Sequence, residues 1–428
     1  MESLQYTADE AERYLSEGNP GVSELIVRAA LLRNPRDSKA WTVLGRLAAT
    51  LGEPEMAVRF GVAGSAMDFA RAVAAAPLPA VPPTPPRDPE RFLLIKAWGY
   101  GFCSDVDHVL GCLLLAEITG RTPVTHWGAN SLFRDEPGKD AFRYYFEPVS
   151  NLAAADLIGK GYDFYPPKWN DANLTEDLVH KHTGPNSRMS ALQLMGRGER
   201  VAVSDYHTGI SILCQWLRPD HPMFGRPVED VIRYLVGRYL RPVSDLRREI
   251  DEFASRQFGT GQVIAAHLRG TDKFLEDQQH AQRMAVFPQA IDHLCAGDRN
   301  AKIFFMTDST TLLETYRKRY GSRLVTTDAF RTNTRVGLPF LGNKEKRRLG
   351  NDVMRDIYLA TRCSKFVGLG SSNVSCLIYH LREWAPGAAV MLGPMMMHIQ
   401  EPSQFMSVEQ LKRYFPSGQV DTWMREWK

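Results

Sequence analysis

The stretch Val263-Ile-Ala-Ala-His-Leu-Arg-Gly-Thr-Asp-Lys273 runs from an apolar strand straight into a cluster of charges. Side chains alternate along a strand, so His267 and Arg269 project together from its end, with Thr271, Asp272 and Lys273 in the loop beyond. The carboxyl end of a strand in an open α/β sheet is where such folds bind ligands. A fixed cation, a titratable ring, a carboxylate and an ammonium at that place suit a nucleotide diphosphate and a reacting hydroxyl.

Strands recur downstream at residues 302–306, 323–326 and 365–369, with helical periodicity between them. The last strand opens into Lys365-Phe-Val-Gly-Leu-Gly-Ser-Ser-Asn373 and then a helix over 374–381. Small residues here let a backbone approach a ligand, and the amides of Gly370, Ser371, Ser372 and Asn373 at a helix start favour phosphate. The letters also fit a loose dinucleotide fingerprint, but that needs an acidic residue after the next strand, where the chain has Ala389-Val-Met-Leu. Phosphate binding is the better reading, with a tight turn as the alternative. Asp356, on a helix over 351–362, is either a surface charge or a reader of guanine donors. Asp308, after the strand Ile303-Phe-Phe-Met306, either caps the next helix or belongs to the site.

Upstream, residues 227–258 read as two helices joined at Arg241-Pro242. Earlier still, residues 91–97 form a strand, 98–104 a glycine-bearing loop, 105–119 a helix and 122–127 the next strand, which begins another parallel sheet. Residues 4–71 carry a weak 34-residue repeat, the period of the tetratricopeptide helix pair, with Trp41, Leu44, Gly45 and Ala57 at the pattern's spacing. The expected organisation is a helical segment over 1–76, a proline-rich linker over 77–90, α/β domains over 91–225 and 226–395, and a helical tail over 396–428. Two repeats bury little apolar area, so the segment is expected to lean on the α/β body or on a second copy, or to dock a peptide.

The chain's 428 residues exceed one ordinary core, and 44% hydrophobic with 24% charged residues is the balance of a soluble globular protein. A net charge of +3 is too small to suggest nucleic-acid binding. The acidic start Met1-Glu-Ser-Leu-Gln-Tyr-Thr-Ala-Asp-Glu10 lacks a signal peptide's apolar core, and the run near 109–118 is too short to span a bilayer, so a cytoplasmic location is expected. The six scattered cysteines are expected to be reduced thiols.

His267-Leu-Arg-Gly-Thr-Asp-Lys273 resembles the H-x-R-x-T-D-K motif of α1,6-fucosyltransferases and nodulation-type fucosyltransferases, more distantly related to protein O-fucosyltransferases. The resemblance extends through Tyr234-Leu to Arg241-Pro242, Met306-Thr-Asp308, Asp356-Ile357, Phe366-Val367 and Ser371-Ser372, and in the first half through Gly99-Tyr-Gly101, His108, Arg121-Thr122 and Phe146-Glu-Pro-Val149. It covers about residues 91–395.

The resemblance implies a GT-B-like fold of two Rossmann-like α/β domains facing a cleft, and an inverting, metal-independent transfer of fucose from GDP-fucose to a hydroxyl. It places Arg269 and His267 at the diphosphate, Ser371 and Ser372 at phosphate, and Asp356 at guanine. The family's base follows its lysine, which brings in Glu276 and Asp277, with Asp272 and Lys273 orienting the acceptor. Gly270 stands where the mammalian-type motif has a second arginine, and Asn373 where it has glutamine. Asp105-Val-Asp107 looks like a metal-binding D-x-D, but sits at a helix start, where aspartates cap amides; no metal is expected. The acceptor, a bacterial-type glycan precursor or a protein, is expected near residues 99–107 and 127–134. A protein O-fucosyltransferase-like enzyme with an open groove along residues 41–69, or a silent GDP-sugar-binding protein, remains open.

Overall fold

Parallel strands that are apolar at every position must be covered on both faces, so their sequence demands helices above and below. A computed structural model describes residues 7–34, 37–52, 57, 60–61, 90–175, 191–195, 197–218, 220–273, 279–342, 344–393 and 395–398, and it shows this architecture twice. The first sheet comprises β1 (Phe92–Lys96), β2 (Thr122–His126), β3 (Phe164–Tyr165) and β4 (Val201–Ser204), in the order β2-β1-β4-β3. The second comprises β5 (Val263–His267), β6 (Lys302–Met306), β7 (Leu324–Val325), β8 (Lys365–Leu369) and β9 (Ala389–Leu392), in the order β7-β6-β5-β8-β9. All the ladders are parallel.

Three helices, α1 (Ala8–Ser16), α2 (Pro20–Arg33) and α3 (Ser38–Thr50), precede the sheets and pack on one another. Most of the second repeat's remainder, the proline-rich linker and nearly all of the C-terminal tail lie outside the described residues. Trp41 of α3 is fully buried, 5.2 Å from Trp216 and 5.7 Å from Phe60. The helical segment therefore leans on the α/β body, and the open groove that the alternative, protein O-fucosyltransferase-like reading needs is filled at Trp41 and Phe60, whose rings bury against Trp216.

Helix α4 (Phe102–Thr119) follows β1 and is buried round most of its circumference, its apolar run from Val109 to Ala116 together with the polar Asp105, Asp107 and His108 of its first turns. Gly120 ends it at φ 66°, the left-handed conformation glycine adopts freely. Short α5 (Ala191–Met195) and α6 (Ile210–Leu213) flank β4. Helices α7 (Val228–Tyr239) and α8 (Ser244–Gln257) lead to β5, with α7 packed on α4. Helices α9 (His280–Leu294), α10 (Thr310–Tyr320), α11 (Lys346–Ala360) and α12 (Asn373–His380) connect the second sheet.

The two sheets' surroundings meet along a close seam. Tyr145 Oη donates to Arg347 O at 3.3 Å, and Glu147 N donates to Arg241 O at 2.8 Å. At Gly350 of α11 a Cβ would lie 2.4 Å from the Tyr145 ring, so only glycine allows this approach.

Among the described residues, no helix is long and apolar enough to cross a membrane. The six cysteines are unbridged.

Candidate functional site

In the second sheet the chain moves outward from β5 to β6 and β7, then returns to place β8 on the other side of β5. The crevice between the carboxyl ends of β5 and β8 is therefore a topological switch point, where open α/β sheets bind ligands. His267 pairs with Gly368 across it, so the loop holding Arg269 lies beside the loop holding Ser371 and Ser372.

Arg269 forks onto Asp272: Nε donates to Oδ1 at 2.9 Å and Nη2 to Oδ2 at 2.7 Å. Asp308 Oδ2 lies 3.7 Å from Arg269 Nε. Arg269 is thus ion-paired with both Asp272 and Asp308. Burial alone would raise the Asp272 carboxyl, but the Arg269 charge and hydrogen bonds outweigh it and hold the pKa below the ordinary value.

Asp308 does not cap α10; that role falls to Ser309, whose hydroxyl accepts from Leu312 N at 3.3 Å. Asp308 instead accepts from Gly270 N at 2.8 Å and from Thr271 Oγ1 at 2.6 Å, because β6 ends beside β5 and aims its first loop carboxylate at the motif backbone. Gly270 fits for a steric reason: a Cβ there would come within 2.4 Å of Leu312 and 2.9 Å of Ser309.

His267 is buried, and its Nδ1 lies 2.7 Å from Ser375 Oγ on α12. Burial, reinforced by the nearby Arg269 charge, lowers its pKa to about 3, so the ring is neutral and ties β5 to α12. Lys273 is also buried, its Nζ 3.5 Å from Met396 Sδ. Glu276 and Asp277 lie outside the described residues.

The backbone of Gly370 is already used: its N–H donates to Leu392 O at 3.0 Å, and its carbonyl accepts from Met396 N at 2.8 Å. Ser372 N donates to Leu369 O at 3.1 Å. These two amides are therefore spent on sheet and turn rather than offered to phosphate. The hydroxyls differ. Among the described residues, Ser371 Oγ and Ser372 Oγ are buried without a hydrogen-bond partner, and Ser372 gives α12 no side-chain cap just before Asn373. Buried polar groups are ordinarily satisfied, so two orphaned hydroxyls at an uncapped helix start mark a place for an anionic ligand.

Asp356 is no surface charge. It accepts from Thr327 Oγ1 at 2.7 Å, and burial pushes its pKa up to about 6, against that bond and the charges of Arg355 and Arg331. Thr327 and Arg331 were not singled out by the sequence, because the loop after β7 has no periodic signal.

At the first sheet, Asp105 Oδ1 accepts from Gly99 N at 2.7 Å, turning back on the loop before α4, where Gly99 has φ 85°. Asp107 Oδ2 lies 3.0 Å from His207 Nε2. Each aspartate of the D-x-D is thus engaged separately. His207 was also missed; the available signal was Val201-Ala-Val-Ser, a short strand running into Asp-Tyr-His207. Trp127 and Phe133 turn inward onto Phe102, with ring centroids at 5.8 and 5.1 Å, so they do not line a cleft as expected. Among the described residues, no group of three or more His, Cys, Asp or Glu side chains is arranged to hold a metal.

No protein-family model matches the chain. The chain is 23% identical over 305 residues to Nodulation protein Z of Bradyrhizobium diazoefficiens, the match covering 65% of this chain and 75% of that protein. Among solved structures it is similar to the fucosyltransferase NodZ from Bradyrhizobium, at 18% identity and TM-score 0.45, covering 68% of this chain and 92% of that one. It is also similar to POFUT1 in complex with GDP-fucose, at 15% identity and TM-score 0.44, covering 72% of this chain and 99% of that one.

Proposed function

We propose that the chain is an inverting glycosyltransferase that moves fucose from GDP-fucose to a hydroxyl of a glycan or glycoconjugate, without a metal and in the cytoplasm. The observation that carries this reading is the pairing, at one switch point, of the Arg269 fork with the orphaned Ser371 and Ser372 hydroxyls. The motif's likeness to nodulation-type fucosyltransferases and the match to nodulation protein Z support it.

In this reading residues 226–395 form the donor half and residues 91–225 the acceptor half. Arg269 exchanges Asp272 for the diphosphate, and its fork neutralises the charge that grows on departing GDP. Ser371 and Ser372 donate to phosphate, with Asn373 beginning the helix whose positive end faces it. Asp356 accepts from guanine. His267, Asp308 and Gly370 hold the crevice's shape, while Asp272 and Lys273 border the acceptor. Glu276 and Asp277 are the motif loop's candidate bases.

Calorimetry against GDP, UDP and ADP with EDTA present tests the donor half. Tight binding of GDP alone is the expected outcome. Equal binding of all three would remove Asp356's role, and loss of binding with EDTA would overturn metal independence.

A further inference from the structure

Gly368 of β8 pairs with His267 of β5, and a Cβ at Gly368 would lie 2.7 Å from Ser375 Oγ. The missing side chain lets α12 settle against the end of the ladder, the usual reason for a glycine in a strand where another element comes close. Ser375, the third residue of α12, is fully buried there. Its hydroxyl meets two groups, Leu369 N at 3.2 Å and His267 Nδ1 at 2.7 Å.

Each of these bonds has a fixed direction. The Leu369 N–H can only donate, so the serine oxygen accepts from it. A hydroxyl has one hydrogen of its own, and a buried one ordinarily finds an acceptor. Among the described residues the acceptor it reaches is His267 Nδ1, at the usual length of a bond from a hydroxyl. Nδ1 is then the bare nitrogen, and the ring's hydrogen is on Nε2. The opposite tautomer would leave the serine hydrogen buried without an acceptor, which is costly. Burial, with the nearby Arg269 charge, lowers the ring's pKa to about 3 and keeps it from taking a second hydrogen.

The tautomer matters because of where the ring stands. His267 is the last residue of β5, at the switch point, and projects with Arg269 from the strand's end. Its Nδ1 edge is turned to α12, so Nε2 is on the edge away from that helix. Nothing bonds to Nε2 among the described residues, and the residue keeps 7% of its surface open. The oxygens of a nucleoside diphosphate, on phosphate or on the guanine carbonyl, offer only lone pairs. An Nε2–H attracts such an oxygen, whereas a bare Nε2 repels it. Putting the hydrogen on Nε2 makes the ring a donor without charge beside the Arg269 cation.

We infer that Ser375 is a positioning residue for donor binding: it occupies Nδ1 of His267, so that Nε2–H donates to an oxygen of the bound nucleoside diphosphate. The inference rests on the glycosyltransferase reading above. Ser375 acts only through the ring.

The full chain, isotopically labelled at its histidine nitrogens, tests this directly. Long-range proton–nitrogen spectra should show His267 with its hydrogen on Nε2, the signal being assigned by its loss in His267→Gln. Saturating GDP should shift that signal; guanosine and inorganic pyrophosphate, titrated separately, show whether a base or a phosphate oxygen receives the bond. Hydrogen on Nδ1, or a signal that bound GDP leaves unmoved, overturns the inference. In calorimetry Ser375→Ala should weaken GDP binding roughly 5- to 10-fold, and its spectrum should lose the single tautomer. His267→Gln carries an amide that needs no serine to set its tautomer, so adding Ser375→Ala to it should cost nothing further. An equal loss in both backgrounds assigns the hydroxyl to packing and overturns the inference. The wild-type spectrum decides the tautomer even where Ser375→Ala fails to fold. A wild-type chain that has the Nε2–H tautomer but binds no GDP overturns the glycosyltransferase reading and the role in donor binding with it, while the Ser375–His267 bond stands.

Discussion

Arg269 meets Asp272 through a bidentate fork, the geometry a diphosphate would also satisfy. The pair is partly exposed, 24% and 18% by side chain, so exchanging it for a ligand with more charge is an accessible step. Arg269→Ala removes a preorganised donor and should lower turnover roughly 100- to 1,000-fold, with an unchanged thermal melt showing that the fold survives. Substantial residual turnover would defeat the assignment. Asp356 gives a pH prediction. Its folded pKa is raised to about 6, so its contribution to stability is present below the ordinary carboxylate range and lost as pH rises through about 6. Guanine donors need the ionised form, so GDP affinity should fall as pH drops below about 6. Calorimetry across that range checks this: the terminal phosphate titrates near pH 6 in GDP and ADP alike, so GDP should show a steeper fall than ADP, and Asp356→Asn should reduce it to the ADP profile. His267 stays neutral over the same range, because its pKa is about 3.

At the scale of elements, β6 and β8 fall where apolar run length places them, 302–306 and 365–369, because buried parallel strands write themselves as short hydrophobic blocks. Helix starts were less legible. Helix α11 begins at Lys346, several residues before the expected 351, and Arg347 N donates to Asp135 Oδ1 at 3.0 Å. That capping group comes from the first half of the chain, so no local pattern could announce it. Helix α4 similarly begins at Phe102, where Asp105 turns back on Gly99. Among the described residues, helix α12 has no side-chain cap and its neighbouring hydroxyls have no hydrogen-bond partner. Ser372→Ala should therefore leave the melting temperature unchanged or raise it, yet weaken GDP binding by about 1.5 to 3 kcal/mol, roughly 10- to 150-fold in Kd. A fall in melting temperature without a change in Kd would assign the hydroxyl to the fold instead.

For the whole molecule, the helical segment and the α/β body are joined by aromatic burial. Trp41 is enclosed by Phe60 and Trp216. Trp41→Ala should cost about 3 to 5 kcal/mol. Hydrogen exchange should show it as lost protection within α1 to α3, with GDP binding retained. Retained protection there would mean that the helices hold themselves together without the body. The seam at Tyr145 and Gly350 joins the two sheets' surroundings.

Composition, periodicity and one motif were enough to determine that the chain builds parallel α/β sheets, and that a cation and carboxylates gather at the end of β5. Those properties are local: they depend on side-chain alternation and on a few consecutive residues. Tertiary structure alone decided which groups meet. It gave Asp308 to the motif backbone and the helix cap to Ser309, turned Trp127 inward, and bonded Asp356 to Thr327. It also brought Asp107 to His207 across 100 residues. The physical reason is that strand order, not sequence distance, sets which loops share a crevice, and the second sheet's order reverses at β5, where the Arg269 loop stands.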